Sequence, residues 1–474
     1  MLRYVMIKIA ASLLASAPAA QLHSQDAANH DREVHKGSMT NDYLGEFERD
    51  DGVPIYVVDA GGTLAVVVGG NTFALLAKEE DSFELVGVGE IVIFERDEQD
   101  NVVSVRDSRG VYPRTGAVPP AISQRFKIGE GSPYKYAAPI AGEDDLSTGV
   151  ANQFGIDQSA LESIIDDVRS GGEFANVHSL LISRRNTLLL EEYFKDYDQA
   201  TSHNLRSATK SVISALVGAA IQRGDVTLED RPLARIAQAS SLDISAHKME
   251  LTLADMLDMR HGLQCDDWDN DSLGNEVNIY GTPDWTEFIL AIPDDADRQA
   301  ISYCSAMPLM VGRYLELATG RTLPDYAGEV LLAPLGIKND DWSWDFELRA
   351  KSDTHGGQIH LRPRDMLRFG RLYARGGLTE DGSRVLPQGW VANSFDAVTP
   401  LGDWRTYNDF WWRYEVERRD GSVVPVYMAS GVGGQRIAII PSLELVVVLT
   451  GGSFSFGRPG PTKIIERIIL STSR

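Results

Sequence analysis

A serine and a lysine three positions apart are the residues in this chain whose types and spacing most directly suggest chemistry. Ser207 and Lys210 open a segment, 207–223, that is predicted to be a helix. Residues i and i+3 share one helical face, so the hydroxyl and the amine should lie side by side. A serine hydroxyl is a weak nucleophile until a base takes its proton. The pair therefore predicts nucleophilic catalysis, with Lys210 as the base for Ser207.

The position of Ser207 at the start of a helix adds to this prediction. The positive end of the helix dipole stabilises negative charge that develops there. A lysine can act as a base only where burial or nearby positive charge lowers the pKa of its amine. Composition alone predicts about one Ser-x-x-Lys spacing by chance in a chain of this length. The alternative, an N-capping serine beside an exposed lysine, stays open without further residues.

Two downstream segments supply those residues. Tyr303 and Ser305 flank Cys304 just before a predicted helix, and a glycine-rich segment, 430–435, leads into a predicted strand, 436–440. The Ser-x-x-Lys, Tyr-x-Ser and glycine-rich strand segments, in this order, resemble the serine β-lactamase-like, penicillin-recognising hydrolase family of class C type. Within that family the resemblance is strongest to the 6-aminohexanoate-dimer hydrolase and esterase branch.

The resemblance implies a role for each matching side chain. Ser207 would be the acylated nucleophile and Lys210 its base. Tyr303 would be a second acid and base, which protonates the leaving group and activates the deacylating water. Ser305 takes the place of the family's Asn or Ser, a polar group that orients Lys210 or contacts substrate.

The glycine-rich segment implies the rest of the site. The backbone N–H groups of Ser207 and Val432 would form an oxyanion hole, with Gly431 and Gly433 beside the substrate. The family's β-lactamases carry Lys-Thr-Gly on this strand, whereas residues 426–433 read Val-Tyr-Met-Ala-Ser-Gly-Val-Gly. The cation that would meet a β-lactam carboxylate is missing, which favours an esterase or amidase.

Three functions remain open from these residues. The first is hydrolysis of a small ester or amide, and the second is a β-lactamase or D-amino-acid peptidase. The third is a penicillin-binding-like sensor without turnover, against which the intact Ser207, Lys210 and Tyr303 argue. The mechanism requires no metal or organic cofactor, and the expected partner is a small-molecule ester or amide. The oligomeric state is left open.

The net charge of the chain argues against polyanionic partners. The formal net charge of −23 over 474 residues disfavours binding to nucleic-acid phosphates or to anionic membranes. Asp267, Asp269 and Asp271 resemble half of a calcium-binding loop, but Ser272 stands where the loop needs glycine. These three residues are therefore expected to form a solvated acidic loop near the mouth of the site.

The elements that must position these residues fall into a mixed α/β fold with an antiparallel sheet. Strands from both ends of the catalytic domain should form the sheet, and a helical subdomain should be inserted between them. A small all-β module, indicated by short β-rich runs separated by turns, precedes this domain. The predicted order is signal peptide, 1–20; flexible tether, 21–40; all-β module, 41–115; linker, 116–156; hydrolase domain, 157–474.

The first residues resemble an export signal. Arg3 and Lys8 supply positive charge, 9–15 is a short apolar run, and small residues at 17 and 19 fit a cleavage site. This predicts a periplasmic or secreted protein with no stable membrane anchor. In an exported chain Cys265 and Cys304 are candidates for a disulfide, the alternative being two free thiols. Such a bridge would hold Tyr303 in place.

Overall fold

The computed structural model describes residues 41–48, 52, 54–59, 64–68, 71–85, 91–107, 110–120, 122, 133–141, 146–171, 174, 176–195, 197–297, 301–345, 358–396, 399–401, 405–452 and 460–473. The predicted signal peptide and tether lie outside the described residues, as do parts of the predicted linker. The mixed α/β class with an all-β module in front is confirmed.

The all-β module is a closed antiparallel barrel in which the last strand pairs with the first. Its interior is an apolar cluster that includes Phe47, Phe73 and Phe94. The first and last strands were not predicted, because β1 has one apolar side chain and β8 carries a proline. The strands are β1 (Gly45–Glu48), β2 (Pro54–Asp59), β3 (Leu64–Val68), β4 (Asn71–Glu79), β5 (Ser82–Leu85), β6 (Ile91–Arg96), β7 (Val102–Asp107) and β8 (Gly110–Gly116).

The catalytic domain contains an eight-stranded antiparallel sheet of order β10-β9-β19-β18-β17-β16-β15-β14. It joins strands from both ends of the domain, as the sequence predicts. Its strands are β9 (Val177–Arg184), β10 (Thr187–Tyr193), β14 (Thr399–Pro400), β15 (Thr406–Asn408), β16 (Trp411–Glu417), β17 (Val423–Gly431), β18 (Gln435–Ile440) and β19 (Leu445–Gly451). A small second sheet contains β11 (His203–Asn204), β12 (Ser343–Asp345) and β13 (Gln358–Leu361), in the order β11-β13-β12.

Two interior strands of the large sheet are buried along their whole length. Every residue of β9 and of β19 is buried, which is expected when helices cover both faces of a sheet. The hairpin that joins β9 to β10 turns at Arg185 and Asn186, both with positive φ (49° and 60°). Positive φ at both central residues is the conformation of the type I′ turn that two-residue hairpins favour.

Twelve α-helices lie among the described residues of the catalytic domain. They are α1 (Gln158–Ser170), α2 (Thr209–Arg223), α3 (Pro232–Ser240), α4 (Ala246–Glu250), α5 (Leu253–Leu257), α6 (Glu276–Tyr280), α7 (Trp285–Ala291), α8 (Ala306–Thr319), α9 (Leu323–Ala327), α10 (Pro363–Ala374), α11 (Trp390–Asp396) and α12 (Gly460–Ser471). None of them is long and apolar enough to cross a membrane.

The helices that support the site are deeply buried. All residues of α2 from Thr209 to Ala220 are buried, so this helix forms part of the core. Helix α10 packs closely on the sheet at Gly370, where a Cβ atom would lie 2.6 Å from Val446 Cγ1. Helices α2 and α8 pack against each other, which brings the segments before their first residues together.

Candidate active site

Ser207 lies in a short 3-10 turn, Arg206–Ala208, directly before α2. Two bonds fix this turn: Leu205 N donates to Ile359 O at 2.9 Å, and Arg206 N donates to Asn204 Oδ1 at 2.8 Å. Arg206 has a φ of +51°, a left-handed conformation that side-chain-bearing residues rarely adopt. The backbone is thus constrained to present Ser207, which is partly exposed, at the N-terminus of the helix.

The structure brings Ser207 and Lys210 together as the spacing predicts. Lys210 Nζ lies 3.1 Å from Ser207 Oγ, and Lys210 is only 5% exposed. The same nitrogen lies 3.1 Å from Ser305 Oγ and 4.7 Å from the centroid of the Tyr303 ring. Three other side chains predicted for the site therefore surround the amine of Lys210.

The carboxylate of Asp267 also belongs to this group, contrary to the expectation of a solvated acidic loop. Ser305 Oγ lies 2.7 Å from Asp267 Oδ2 and 3.2 Å from Glu276 Oε2. Asp269 and Asp271 are exposed, as expected. Asp267 differs because Asp267 N donates to Tyr303 O at 2.8 Å, which turns this residue toward the site.

These carboxylates change the electrostatics expected for Lys210. Burial lowers the pKa of its amine, but the charges of Tyr303, Asp267 and Glu276 outweigh burial and hold the pKa above its usual value. The sequence argument required a lowered pKa for a lysine base. The resting residue is instead an ammonium group that donates to both serine hydroxyls.

Tyr303 is held by an aromatic cluster that sequence reasoning did not identify. Its ring stacks on Trp268 at 5.4 Å and on Trp412 at 5.5 Å, and it meets the edge of Tyr407 at 5.7 Å. Tyr407 is 1% exposed, and burial, followed by the charge of Tyr303, raises the pKa of its phenol well above the usual value. Arg405 covers the Trp412 ring at 4.7 Å. The cluster leaves Tyr303 only 6% exposed and fixes its ring.

The glycine-rich segment approaches the turn that carries Ser207. A Cβ atom at Gly431 would lie 2.1 Å from Leu205 O, so only glycine allows this contact. Gly433 has a φ of +92° and turns the chain from β17 toward β18. Val432 lies between them, and its side chain packs against the apolar cluster of the barrel. The structure thus places Gly431, Val432 and Gly433 at the end of β17, beside the Ser207 turn.

A cation does lie near this strand, although Lys-Thr-Gly is absent. Arg436 on β18 pairs with Ser430 on β17. Its Nη1 donates to Gly431 O at 2.6 Å and to Gln435 O at 2.8 Å. Burial lowers the pKa of its guanidinium to about 10. The Arg436 side chain is therefore engaged in fixing the strand end.

Cys265 and Cys304 form a disulfide, with Cα atoms 5.5 Å apart. The bridge joins the segment that carries Asp267 to the segment that carries Tyr303 and Ser305. Ser302 Oγ also donates to Cys265 O at 2.5 Å. These two segments of the site are therefore linked covalently.

Known proteins are similar to part of this chain. A 6-aminohexanoate-dimer hydrolase from Paenarthrobacter ureafaciens is 25% identical over 318 residues, covering 61% of this chain and 76% of that protein. Penicillin-binding protein 4 from Amycolatopsis lactamdurans is 24% identical over 176 residues, covering 31% of this chain and 46% of its own length.

A solved structure and a family profile agree with this similarity. A crystal structure of a protein assigned to the β-lactamases from Bacteroides dorei superposes with a TM-score of 0.51 and 17% identity, covering 66% of this chain and 99% of that one, and so shares the fold. The family described as Beta-lactamase matches residues 175–461, more than half of the chain. The chain belongs to the Beta-lactamase family of serine hydrolases.

Proposed function

We propose that this protein hydrolyses small esters or amides through an acyl-Ser207 intermediate. The observation that carries the proposal is the 3.1 Å contact between Ser207 Oγ and Lys210 Nζ at the start of a buried helix. Similarity to the 6-aminohexanoate-dimer hydrolase, whose name describes a linear amide as substrate, supports the choice of acyl transfer to water.

In the proposed reaction Ser207 Oγ attacks the carbonyl carbon while Lys210 takes the hydroxyl proton. The backbone N–H groups of Ser207 and Val432 stabilise the oxyanion. The bond to the leaving alcohol or amine then breaks as that group receives a proton through Tyr303. Water adds to the acyl group with Tyr303 as the base, and Ser207 is released with its proton restored.

A substrate panel with a serine control tests the proposal. Nitrophenyl esters, the linear dimer of 6-aminohexanoate and nitrocefin are assayed with the native protein, with Ser207→Ala, and with Ser202→Ala, an exposed serine on the same stretch of chain. We expect turnover of esters or of the linear amide that Ser207→Ala abolishes and Ser202→Ala preserves. Equal turnover by Ser207→Ala would exclude the proposed nucleophile.

Two other outcomes would redirect the proposal. Fast turnover of nitrocefin would favour a β-lactamase, for which the strand lacks Lys-Thr-Gly. A stoichiometric burst without turnover would favour a sensor that is acylated once. Both outcomes can be read from the same assays, because the burst amplitude counts acylated Ser207.

We also propose that the protein is exported after removal of residues 1–20. The charged and apolar pattern of its first residues supports this, and so does the disulfide, since disulfides persist in oxidising compartments. N-terminal sequencing of the protein from a native secreting host should begin near residue 20. A full-length protein retaining Met1 in the cytoplasm would contradict it.

A further inference from the structure

Three polar groups converge on the hydroxyl of Ser305. Its Oγ lies 3.1 Å from Lys210 Nζ, 2.7 Å from Asp267 Oδ2 and 3.2 Å from Glu276 Oε2. A hydroxyl has one proton to donate and two lone pairs that accept. Lys210 occupies one lone pair, and the single proton reaches one carboxylate. All three hydrogen bonds of Ser305 Oγ can form only when the second carboxyl group carries a proton of its own.

Asp267 and Glu276, called here the carboxyl pair, therefore hold one proton and one negative charge between them. Glu276 N donates to Asp267 Oδ1 at 3.0 Å, which keeps the two groups adjacent. Burial, followed by the charge of Glu276, raises the pKa of Asp267 to about 8. The raised pKa of Asp267 agrees with the proton that the hydrogen bonds of Ser305 require in the pair.

The carboxyl pair faces few other ionisable groups. Lys210 approaches it from α2, and the phenol of Tyr407 on β15 senses the charge of Asp267. Tyr303 raises the pKa of that amine together with the pair. Lys210 is the cation whose charge acts on Asp267. It is also linked to the pair through a hydroxyl.

We propose that Ser305 and the carboxyl pair form a proton store that converts the Lys210 ammonium group into a free amine, which then takes the proton of Ser207. The proposal deepens the proposed function and rests on it for the identity of the nucleophile. The proposal explains how Lys210, which its neighbours keep protonated, can act as a base. Asp267 and Glu276 are positioning residues in this scheme, because they act through Ser305.

The proton transfer balances within the cluster. One N–H bond of Lys210 breaks as an O–H bond forms on Ser305. The original O–H bond of Ser305 breaks as its proton binds the anionic oxygen of the carboxyl pair. Lys210 loses its positive charge and the pair loses its negative charge, so the net charge is unchanged. The amine then takes the Ser207 proton, which leaves with the alcohol or amine product.

A purely electrostatic role for the carboxylates predicts that substituting them raises the reaction rate, whereas a role as proton acceptor predicts that it lowers the rate. If they only stabilise the ammonium form, their removal lowers the pKa of Lys210 and supplies more free amine. Asp267→Asn would then react faster below neutral pH. If they receive a proton, the same substitution removes the acceptor at 2.7 Å from Ser305 Oγ and leaves only Glu276 Oε2 at 3.2 Å, so proton transfer from Ser305 becomes slower. The two roles are therefore distinguished by the sign of the effect.

The experiment measures the rate at which a fluorophosphonate probe modifies Ser207 between pH 5 and pH 10. We expect Ser305→Ala and Asp267→Asn to lower the plateau rate by roughly 10²-fold, the scale of one lost proton transfer. Ser305→Thr keeps the hydroxyl and should recover most of the rate. Asp269→Asn, in the exposed part of the same loop, should match the native protein. An unchanged or faster Asp267→Asn, with its acid limb at lower pH, would overturn the proposal.

A second variant, a solvent isotope experiment and ester turnover test the same proton transfer. Glu276→Gln should also lower the rate, and it replaces Asp267→Asn if that variant does not fold. The native rate in mixtures of H₂O and D₂O should give a curved dependence on deuterium fraction, and Ser305→Ala a straight one. Ester turnover is measured in parallel with the same variants. Normal labelling without any ester or amide turnover would reject the proposed function alone, whereas native-like turnover by Ser305→Ala would reject the store alone.

Discussion

Two lysines are buried among the described residues of the catalytic domain, and their surroundings differ. Lys210 and Lys248 are 5% and 4% exposed. Lys248, on α4, donates to the backbone carbonyls of Leu290 at 2.7 Å and of Ile292. Burial lowers the pKa of its amine. Lys210 contacts two hydroxyl groups that can pass protons on, and the negative charges of Asp267 and Glu276 act on it.

The difference shows that burial alone does not identify a catalytic lysine. A carbonyl oxygen accepts a hydrogen bond but does not pass a proton on, so the pocket of Lys248 fixes structure. A hydroxyl both accepts and donates, so the pocket of Lys210 can move protons. The partners of the amine, more than its exposure, therefore separate the structural residue from the candidate base.

The largest expected effect is the loss of catalysis in Lys210→Met. Removing the base should lower kcat/KM for a nitrophenyl ester by roughly 10²–10⁴-fold. The free energy of unfolding should also fall, by roughly 3–5 kcal/mol, because the negative charge of the carboxyl pair loses its cation. Ester kinetics and urea denaturation measure the two quantities. Native-like kcat/KM would remove Lys210 from the mechanism.

The matched substitution Lys248→Met should lower stability and leave catalysis in place. It leaves the carbonyls of Leu290 and Ile292 without their donor, which costs roughly 4 kcal/mol of unfolding free energy in total. The folded fraction should keep its kcat/KM within about threefold, since no proton transfer is lost. Denaturation curves and kinetics on the same preparation test this. A large fall in kcat/KM without loss of stability would contradict the comparison.

Reduction of the Cys265–Cys304 disulfide should affect both pockets. The bridge is next to Tyr303, and its sulfur lies close to Gly274, which also packs near Ile292. We expect the free energy of unfolding to fall by about 3 kcal/mol. Ester turnover should fall as well, because the bridge holds Tyr303 in place. Turnover and melting are compared with and without reductant, and with Cys265→Ser/Cys304→Ser. Unchanged turnover in reductant would show that packing alone holds Tyr303.

The smallest expected effect is a pH dependence of stability from His261, which lies between the two pockets. Its Nε2 donates to Ser302 O, its Nδ1 accepts from Leu263 N, and its carbonyl accepts from His247 on α4. Both ring nitrogens are thus satisfied only in the neutral form, and burial lowers the pKa of His261 to about 4.

Because the folded pKa lies below the unfolded value, the stability from His261 is present above pH 6.5 and is lost on acidification. From pH 7 to pH 5 the loss amounts to about 2 kcal/mol. His261→Gln should be less stable at pH 7 but should lose less on going to pH 5. Denaturation at both pH values measures the slope. An identical slope in the variant would assign the acid sensitivity to other groups.

Much of the site could be predicted because it depends on local spacing. The i and i+3 positions of Ser207 and Lys210 fix their contact, and the order of motifs indicated Tyr303, Ser305 and Gly431. The all-β module was recognised from its short runs, but the closure of the barrel depends on pairing between β1 and β8, which neither strand indicates by itself.

The residues that were missed depend on contacts between distant parts of the chain. Asp267 was grouped with Asp269 and Asp271 because their spacing is the same, although only Asp267 is bonded to Tyr303. One signal was available: a bridge between Cys265 and Cys304 places Asp267 near Ser305. Trp412 and Tyr407 gave no such signal, since only the fold of the sheet brings them to Tyr303.

The contact between Gly431 and Leu205 O has a consequence for how this site can change. The contact is between backbone atoms. The separation between strand β17 and the turn that carries Ser207 therefore does not depend on a side-chain rotamer. Segment 264–280 combines Asp267 and Glu276, which contact Ser305, with the exposed residues Asp269 and Asp271. Mutation at the exposed positions can alter the surroundings of the site and leave the contact at Gly431 in place. Position 431 itself admits no side chain.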